Sequence, residues 1–112
     1  MNSKTKALLD KLNAAKALDL QYKTFKHYGG GVYIVDGFVI DTDDGEVRVL
    51  YSRVGGPDFD AAVEMEIQFV RPLAEFIGEV TLVEDDKSTT GPRFQRARRV
   101  ESWVVDGEAD ID

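Results

Sequence analysis

The stretch that decides the fold is VYIVDGFVIDTDDGEVRVLYSRV, residues 32–54. Asp36-Gly37 is a dipeptide typical of β-hairpins, and Asp43-Asp44-Gly45 is a second turn signal. The two turns divide the stretch into three predicted strands, which are Val32–Val35, Phe38–Asp41 and Glu46–Val54. Apolar and polar side chains alternate in the third strand, which predicts one buried face and one wet face. The predicted buried face carries Val47, Val49 and Tyr51, and Arg48 and Ser52 lie opposite.

Strand signals continue on both sides of this stretch. Upstream, Gln21–Tyr28 contains aromatic residues and threonine, and the turn Gly29-Gly30-Gly31 ends it. Downstream, the loop Gly55–Asp58 is followed by alternating apolar and polar residues, which predict another strand with one buried face. The apolar residues of that strand are Val63, Met65, Ile67 and Phe69.

The last third of the chain combines a helical turn with further strands. A proline and a glycine flank Leu73–Ile77, as at the start and exit of a short helix. Glu79–Val83 has the composition of a strand, and Phe94–Val105 that of one or two strands. Between them, Glu84–Gly91 is either a polar loop or a long hairpin turn.

An amphipathic helix precedes the strands. Apolar residues recur at helical spacing over about residues 3–18, and Asn2 or Ser3 is placed to cap the start. The recurring residues are Leu8, Leu12 and Ala15. We expect this helix to pack on the strands or on a partner.

The order of these elements predicts the fold class. No internal repeat or linker divides the chain, so we predict one domain at residues 1–105 and an acidic, flexible tail at 106–112. Short strands with a turn signal about every ten residues are typical of small β-barrels. The sequence therefore predicts a mainly β (α+β) fold, a small barrel or strongly bent sheet with one N-terminal helix and one short helical turn.

Composition narrows the classes of function. The 112 residues include no cysteine, which excludes disulfides, thiol nucleophiles and cysteine-type zinc sites. The formal net charge of −7 disfavours non-specific nucleic-acid binding by the domain as a whole. With no long apolar run and no recognisable secretory signal, we expect a cytoplasmic protein without membrane contact. No cofactor motif is recognisable, and we expect no cofactor.

Four separated segments carry a family resemblance: His27–Val35, Val49–Arg53, Val70–Phe76 and Gly91–Phe94. They are similar, in the same order, to four motifs of the bacterial domain-of-unknown-function family 1653. Together the segments span roughly residues 22–94. The resemblance implies a small SH3-like β-barrel and implies no established activity.

The sequence departs from the family pattern in two places. Val54–Gln68 is longer than the family's usual link, and Phe69 stands where the family often has a tryptophan. The N-terminal helix and the residues after Phe94 lie outside the resemblance.

No catalytic motif is recognisable in the chain. His27 is the only histidine, so a two-histidine metal site is excluded, and we interpret it as a structural residue beside the glycine turn. The acidic segment Asp41–Glu46 lacks the ligand spacing of an EF-hand, which predicts a solvated turn and no metal site. Glu64 and Glu66 fall on the wet face of their predicted strand, where carboxylates are ordinary.

A set of aromatic and arginine residues forms the candidate ligand site. In an SH3-like barrel these side chains line one groove, which suits a protein segment or a small anionic ligand. The set is His27, Tyr28, Tyr33, Tyr51, Arg53 and Arg71. In the alternative interpretation, the tyrosines are half-buried core residues and Arg71 supports the turn at Pro72.

A second candidate is the one concentrated basic segment. It contains Arg93, Arg96, Arg98 and Arg99, with Phe94 and Trp103 nearby. Arginine and aromatic side chains together bind phosphates and stack on bases. The acidic residues on both sides of the segment favour internal salt bridges instead.

Three hypotheses of function follow. The leading one is a non-enzymatic binding module that uses the aromatic and arginine surface. The second is an acidic regulator or inhibitor of a basic, nucleic-acid-handling partner, suggested by the net charge and the acidic tail. The third is nucleic-acid binding through Arg93–Arg99. Enzyme action has the least support, and the oligomeric state stays open.

Overall fold

The structure is a computed structural model that describes residues 2–97. In this part of the chain it contains one long helix, two single-turn helices and seven strands. In chain order they are α1 Ser3–Lys16, β1 Thr24–His27, β2 Val32–Ile40, β3 Val47–Gly55, α2 Ala61–Glu64, β4 Phe69–Pro72, α3 Leu73–Phe76, β5 Glu79–Glu84, β6 Lys87–Pro92 and β7 Phe94–Arg96. The predicted acidic tail and the end of the predicted last strand lie outside the described residues.

Five strands form one antiparallel sheet in the order β4-β3-β2-β1-β7. The remaining strands, β5 and β6, pair with each other in a separate hairpin. Its turn is only two residues long, Asp85 and Asp86, which both have positive φ, and most of the segment predicted as a loop or a long turn is strand β6. The predicted mainly β class with an N-terminal helix is confirmed.

The five-stranded sheet is strongly curved. Two strands separate β3 from β7, and a flat sheet would hold these two about 14 Å apart. The ring centroids of Tyr51 on β3 and Phe94 on β7 nevertheless lie 5.5 Å apart. The sheet therefore bends around the core as a barrel wall does, with β4 and β7 as its edges in the described part. Closure into an SH3-like barrel stays a prediction.

The core lies on the concave side of this sheet. Phe76 from α3 stacks on Phe94 at 4.2 Å between ring centroids, and Phe25 meets the edge of Phe76 at 5.3 Å. Val35 and Val49 are fully buried beside these rings. Along β3, the predicted inward residues Val47, Val49 and Tyr51 are all buried, which confirms the alternation inferred from sequence.

The hairpin predicted at Asp36-Gly37 is wrong. Strand β2 runs straight through this dipeptide, and its register on β3 shifts between Val35 and Gly37, so Asp36 forms a bulge. The Asp36 carbonyl accepts a hydrogen bond from Gln21 Nε2 at 3.1 Å, and its carboxylate accepts from Ser52 Oγ and Gln68 Nε2. These partners satisfy the hydrogen-bonding groups of the extra residue while the strand stays extended, so the chain does not reverse its direction at Asp36-Gly37.

The strand predicted for residues 63–69 is also wrong. Asp60 caps helix α2 through a 3.0 Å hydrogen bond from Ala62 N–H, and sheet pairing begins only at Phe69. Val63 and Met65, expected to face the core, are exposed, the latter by 72%. The predicted wet position Glu64 is instead half-buried, because its carboxylate binds Arg53.

Helix α1 is capped as the sequence indicated. The Asn2 side chain accepts a 2.8 Å hydrogen bond from Thr5 N–H, and the helix ends at Lys16, slightly before the predicted end. Ala15 is buried, and Lys11 forms a 2.9 Å ion pair with Glu46 beside the β2–β3 turn. The helix thus packs on the domain. Within residues 2–97, no helix has both the length and the apolar character needed to cross a bilayer.

Candidate functional site

A surface cleft of about 300 Å³ lies between the glycine turn after β1 and the loop after β3. The residues that line it are His27, Gly29, Gly31, Tyr33, Arg53, Pro57 and Asp58. Three of the six predicted ligand residues therefore border one cleft. The other three do not line it: Tyr28 packs against His27, Tyr51 against Tyr33, and Arg71 donates to the Tyr51 hydroxyl.

The glycine turn fixes the side chain of His27. The His27 backbone N–H donates to the Gly31 carbonyl at 2.8 Å, and His27 Nδ1 accepts from the Gly29 N–H at 3.0 Å. Because Nδ1 is an acceptor, the neutral ring carries its proton on Nε2. Burial lowers the pKa of His27 below its ordinary value, and the charges of Arg71 and Arg93 lower it further. His27 is therefore an uncharged hydrogen-bond donor at pH 7.

Aromatic rings surround this histidine. The His27 ring lies 4.2 Å from Tyr28 and 4.9 Å from Phe94 between centroids. Tyr28 is 49% exposed, so one side of this ring stack faces solvent. Tyr33 is half-buried, whereas Tyr51 belongs to the core, as the alternative interpretation of the tyrosines held. Tyr51 contributes to the site only through its hydroxyl.

Arg71 is held above the core by its neighbours. Its Nε donates to the Tyr51 hydroxyl at 3.3 Å, its Nη1 donates to Glu75 Oε1 at 3.3 Å, and its guanidinium lies 5.7 Å from the Phe94 ring centroid. The hydrogen bond to Tyr51 and the charge of Glu75 raise the pKa of Arg71, so it stays cationic. Its contacts with β3 and α3 support the chain around Pro72, and part of its guanidinium remains accessible.

Arg93 lies next to Phe94, between β6 and β7. Its backbone N–H donates to the Gly78 carbonyl at 3.0 Å, and its carbonyl accepts from the Tyr28 N–H at 3.1 Å. The side-chain Nε is buried and has no hydrogen-bond partner in the structure of residues 2–97. A buried N–H without an acceptor costs about 1–3 kcal/mol, so Arg93 Nε is an unsatisfied donor within the described residues.

The predicted arginine strip is only partly described. Arg96 is exposed on β7, and Arg98 and Arg99 lie outside the described residues. Arg93 belongs to the surroundings of His27 and not only to a strip. Arg93, a member of the basic segment, therefore lies next to the predicted aromatic and arginine site.

The loop that follows Arg53 engages all three nitrogens of its guanidinium. Nε donates to the Gly55 carbonyl at 3.0 Å, Nη2 to the Pro57 carbonyl, and Nη1 to Glu64 Oε1 at 3.3 Å. The guanidinium also lies 5.8 Å from the Phe59 ring centroid. Arg53 therefore lines the cleft and at the same time holds the loop that forms its wall.

Replacing Arg53 by alanine is expected to lower the free energy of unfolding by about 1–3 kcal/mol, because the Gly55 and Pro57 carbonyls and the Glu64 carboxylate lose their donor. Hydrogen exchange in residues 56–64 should accelerate more than exchange in β3, which urea unfolding and exchange mass spectrometry measure together.

The matched variant is Arg53→Lys, which keeps the charge and loses the planar fork. We expect it to restore less than half of the stability lost in the alanine variant. Full restoration by lysine would show that charge alone, not the forked contacts, holds the loop.

The acidic turn between β2 and β3 is held by internal contacts. Arg48 pairs with Asp41 at 3.2 Å and with Asp44 at 2.7 Å. A hydrogen bond from the Glu46 backbone N–H, followed by the contact with Arg48, lowers the pKa of Asp44. Residues 2–97 contain no group of three or more potential metal ligands.

Comparison with models of protein families shows to which family this chain belongs. The model of a family described as "Protein of unknown function (DUF1653)" matches residues 23–96. The chain belongs to the DUF1653 family. The resemblance inferred from the four segments is thus confirmed.

The DUF1653 domain is also similar to a solved structure. This is the crystal structure of a DUF1653 protein from Bordetella bronchiseptica, with 22% sequence identity and a TM-score of 0.49. The similarity covers 74% of this chain and 94% of that one. No curated protein matches the chain.

Sequence reasoning misses the position of Arg93 next to the end of β1 in this DUF1653 domain. Its neighbours in sequence group it with the basic segment. The available signal was its place in Gly91–Phe94, one of the four segments that resemble the family. Asp58 in the cleft wall carried no signal beyond its place in a loop.

Proposed function

We propose that this DUF1653 domain is a non-enzymatic binding module that recognises a small anionic group, a phosphate or a carboxylate. The group binds to Arg93 and Arg71 beside His27 and Tyr28. The observation that carries the proposal is the partly accessible guanidinium of Arg71 over Phe94, near His27 and together with the unsatisfied Arg93 Nε.

The arrangement of the two arginines supports this proposal. Arg71 lies against the Phe94 ring, and Arg93 is the preceding residue in the chain. Both charges act on His27 strongly enough to lower its pKa. Guanidinium forks bind phosphate and carboxylate oxygens with paired, charge-assisted hydrogen bonds. The neutral ring of His27 adds a further hydrogen-bond donor, its Nε2–H group.

The half-exposed ring of Tyr28 supports a ligand larger than the anionic group. Its stack on His27 leaves a rigid, amphipathic surface next to the arginines. Such surfaces contribute contact area at low entropy cost.

The experiment is a titration of the protein with inorganic phosphate, followed through the side-chain N–H signals of arginine in NMR spectra. We expect the Arg93 Nε signal to shift, and Arg93→Gln to weaken phosphate binding about tenfold or more, since a hydrogen bond to a charged group contributes about 1.5–3 kcal/mol. A parallel titration with acetate distinguishes phosphate from carboxylate recognition.

Arg96→Gln is the matched control, because Arg96 is exposed on β7 and loses the same charge. It should leave phosphate affinity unchanged within about twofold. Equal weakening of phosphate binding by both variants would mean that phosphate responds only to the net charge. No shift of the Arg93 Nε signal at millimolar phosphate would refute the proposal.

The other hypotheses from sequence stay predictions. Docking of an acidic regulator on a basic partner still rests on the net charge of −7. Nucleic-acid binding rests on a segment of which the structure describes only Arg93 and Arg96.

A further inference from the structure

The β5–β6 hairpin is separate from the five-stranded sheet. In the described part of the chain, its two strands pair only with each other. Apart from Val80 and Gly91, every residue of both strands is exposed. The apolar side chains of Leu82 and Val83 are 44% and 76% exposed. A two-stranded hairpin is at best marginally stable in water, so pairing with a further strand would stabilise it.

Each strand of the hairpin has one free edge. Because the turn has two residues, Glu84 and Lys87 form the closing hydrogen-bonded pair, and bonded and non-bonded pairs alternate from there. The backbone N–H and C=O groups of Thr81 and Val83 therefore point away from β6. Ser88, which lies opposite Val83, points its backbone groups away from β5 in the same way.

The free edge of β5 is the least protected of the four in the described part. Sheets commonly block their edges with proline or charged side chains. Strand β4 carries Arg71 and Pro72, β6 ends at Pro92, and β7 has three residues that end at Arg96. In β5, residues 80–83 are Val-Thr-Leu-Val, with neither charge nor proline. Such a segment has a high propensity to pair as a strand.

Acidic residues lie at both ends of this segment. Glu79 begins β5, and Glu84, Asp85 and Asp86 end it, whereas Lys87 is the only basic residue between positions 79 and 92. A second copy of the chain would bring the same acidic residues to the same edge, where like charges repel. A strand with a basic residue at each end would be attracted in either direction of pairing.

We propose that the outer edge of β5 binds an extended segment of another protein, which adds to the hairpin as a third strand. This segment has an uncharged, β-branched or apolar centre and a basic residue at each end. Main-chain hydrogen bonds to Thr81 and Val83 hold it, and the carboxylates of Glu79 and Glu84 select its charges. The binding is independent of the anion site beside His27.

The test is an NMR titration with the capped peptide Lys-Thr-Val-Thr-Val-Thr-Lys. We expect the amide signals of Thr81 and Val83 to shift. A companion peptide with glutamate in place of both lysines should bind about fivefold more weakly or less, as two exposed charge pairs allow. Replacing the central threonine of the basic peptide by proline, which cannot donate to a sheet, should weaken binding by at least a similar factor.

Val83→Pro and Ser88→Pro are matched variants at one cross-strand pair. Each removes an outward backbone donor, the first from β5 and the second from β6, and neither removes a hydrogen bond between the two strands. We expect Val83→Pro to abolish binding of the basic peptide and Ser88→Pro to keep its affinity within about twofold. The amide signals of the hairpin show whether it stays folded in both.

A double substitution, Glu79→Gln with Glu84→Gln, tests the charges without touching the backbone. It should remove the preference for the basic over the acidic peptide, and it decides the matter if a proline variant opens the hairpin. The proposal is overturned if the basic peptide shifts no β5 signal at millimolar concentration, or if the preference survives the double substitution. Equal loss of binding in two folded proline variants overturns it as well.

Discussion

Replacing Phe76 by alanine is expected to lower the free energy of unfolding by about 3–5 kcal/mol, a large share of the stability of a domain of this size. Phe76 is only 1% exposed and stacks flat on Phe94, with Phe25 and Tyr51 at its edges. The alanine would leave a cavity between α3 and the curved sheet that these aromatic rings cannot close. Urea unfolding followed by fluorescence and circular dichroism measures the loss.

The neighbouring residue provides the control. Ile77 is more than half exposed and lies outside the core cluster, so Ile77→Ala should cost less than about 1 kcal/mol. Similar losses in the two variants would mean that α3 is not the lid of the core. A Phe76→Leu variant, which keeps most of the volume, should recover much of the stability.

Replacing Gly56 by alanine is expected to cost at least about 2 kcal/mol and to weaken phosphate binding as well. Gly56 has a φ of 99°, which L-residues rarely adopt. An added Cβ would lie 2.6 Å from the Gly30 carbonyl oxygen and 2.9 Å from the Gly31 Cα. Both neighbours are backbone atoms of the turn that holds His27, so the turn must move to make room.

Gly91→Ala tests whether the effect comes from the site and not from glycine as such. A Cβ at Gly91 meets no atom within 4 Å, and its φ is not positive. We expect its stability to change by less than about 0.5 kcal/mol. If Gly56→Ala is equally mild, the close approach of the two glycine turns is not needed for the cleft.

Local signals made most of the fold predictable. The Asn2 cap, the turn at Asp43–Gly45 and the buried alternation along β3 depend on neighbours in sequence, and each was found where it was expected. The helical turn between Pro72 and Gly78 belongs to the same class. Such features are decided by a few adjacent residues, so a single sequence specifies them.

The two wrong predictions depend on contacts distant in sequence. The pattern at residues 63–69 alternates like a strand, yet Glu64 is drawn to Arg53, and this pair fixes the loop as a helical turn. The bulge at Asp36 replaces a hairpin because Gln21 and Gln68 supply its missing partners. A short window of sequence contains neither partner. Its periodicity therefore cannot distinguish a strand from a helical turn, or a hairpin from a bulge.

The candidate site was predictable in its residue types and not in its geometry. His27, Tyr33 and Arg53 do border one cleft, but the sequence could not show that Arg53 binds its own loop or that Tyr51 is buried. Nor could it show that Arg93 lies beside His27, because β1 and β7 pair across most of the chain. The sheet topology, not the local sequence, brings Arg93 next to the end of β1.

The pairing of β1 with β7 also has a consequence for the order in which the protein is completed during translation. The ribosome releases β1 to β4 before β7. Until β7 emerges, the edge of the sheet at β1 is unpaired and Phe76 lacks its stacking partner. The core therefore cannot be completed before Phe94 emerges, and until then the nascent chain exposes aromatic surface of the kind that promotes aggregation.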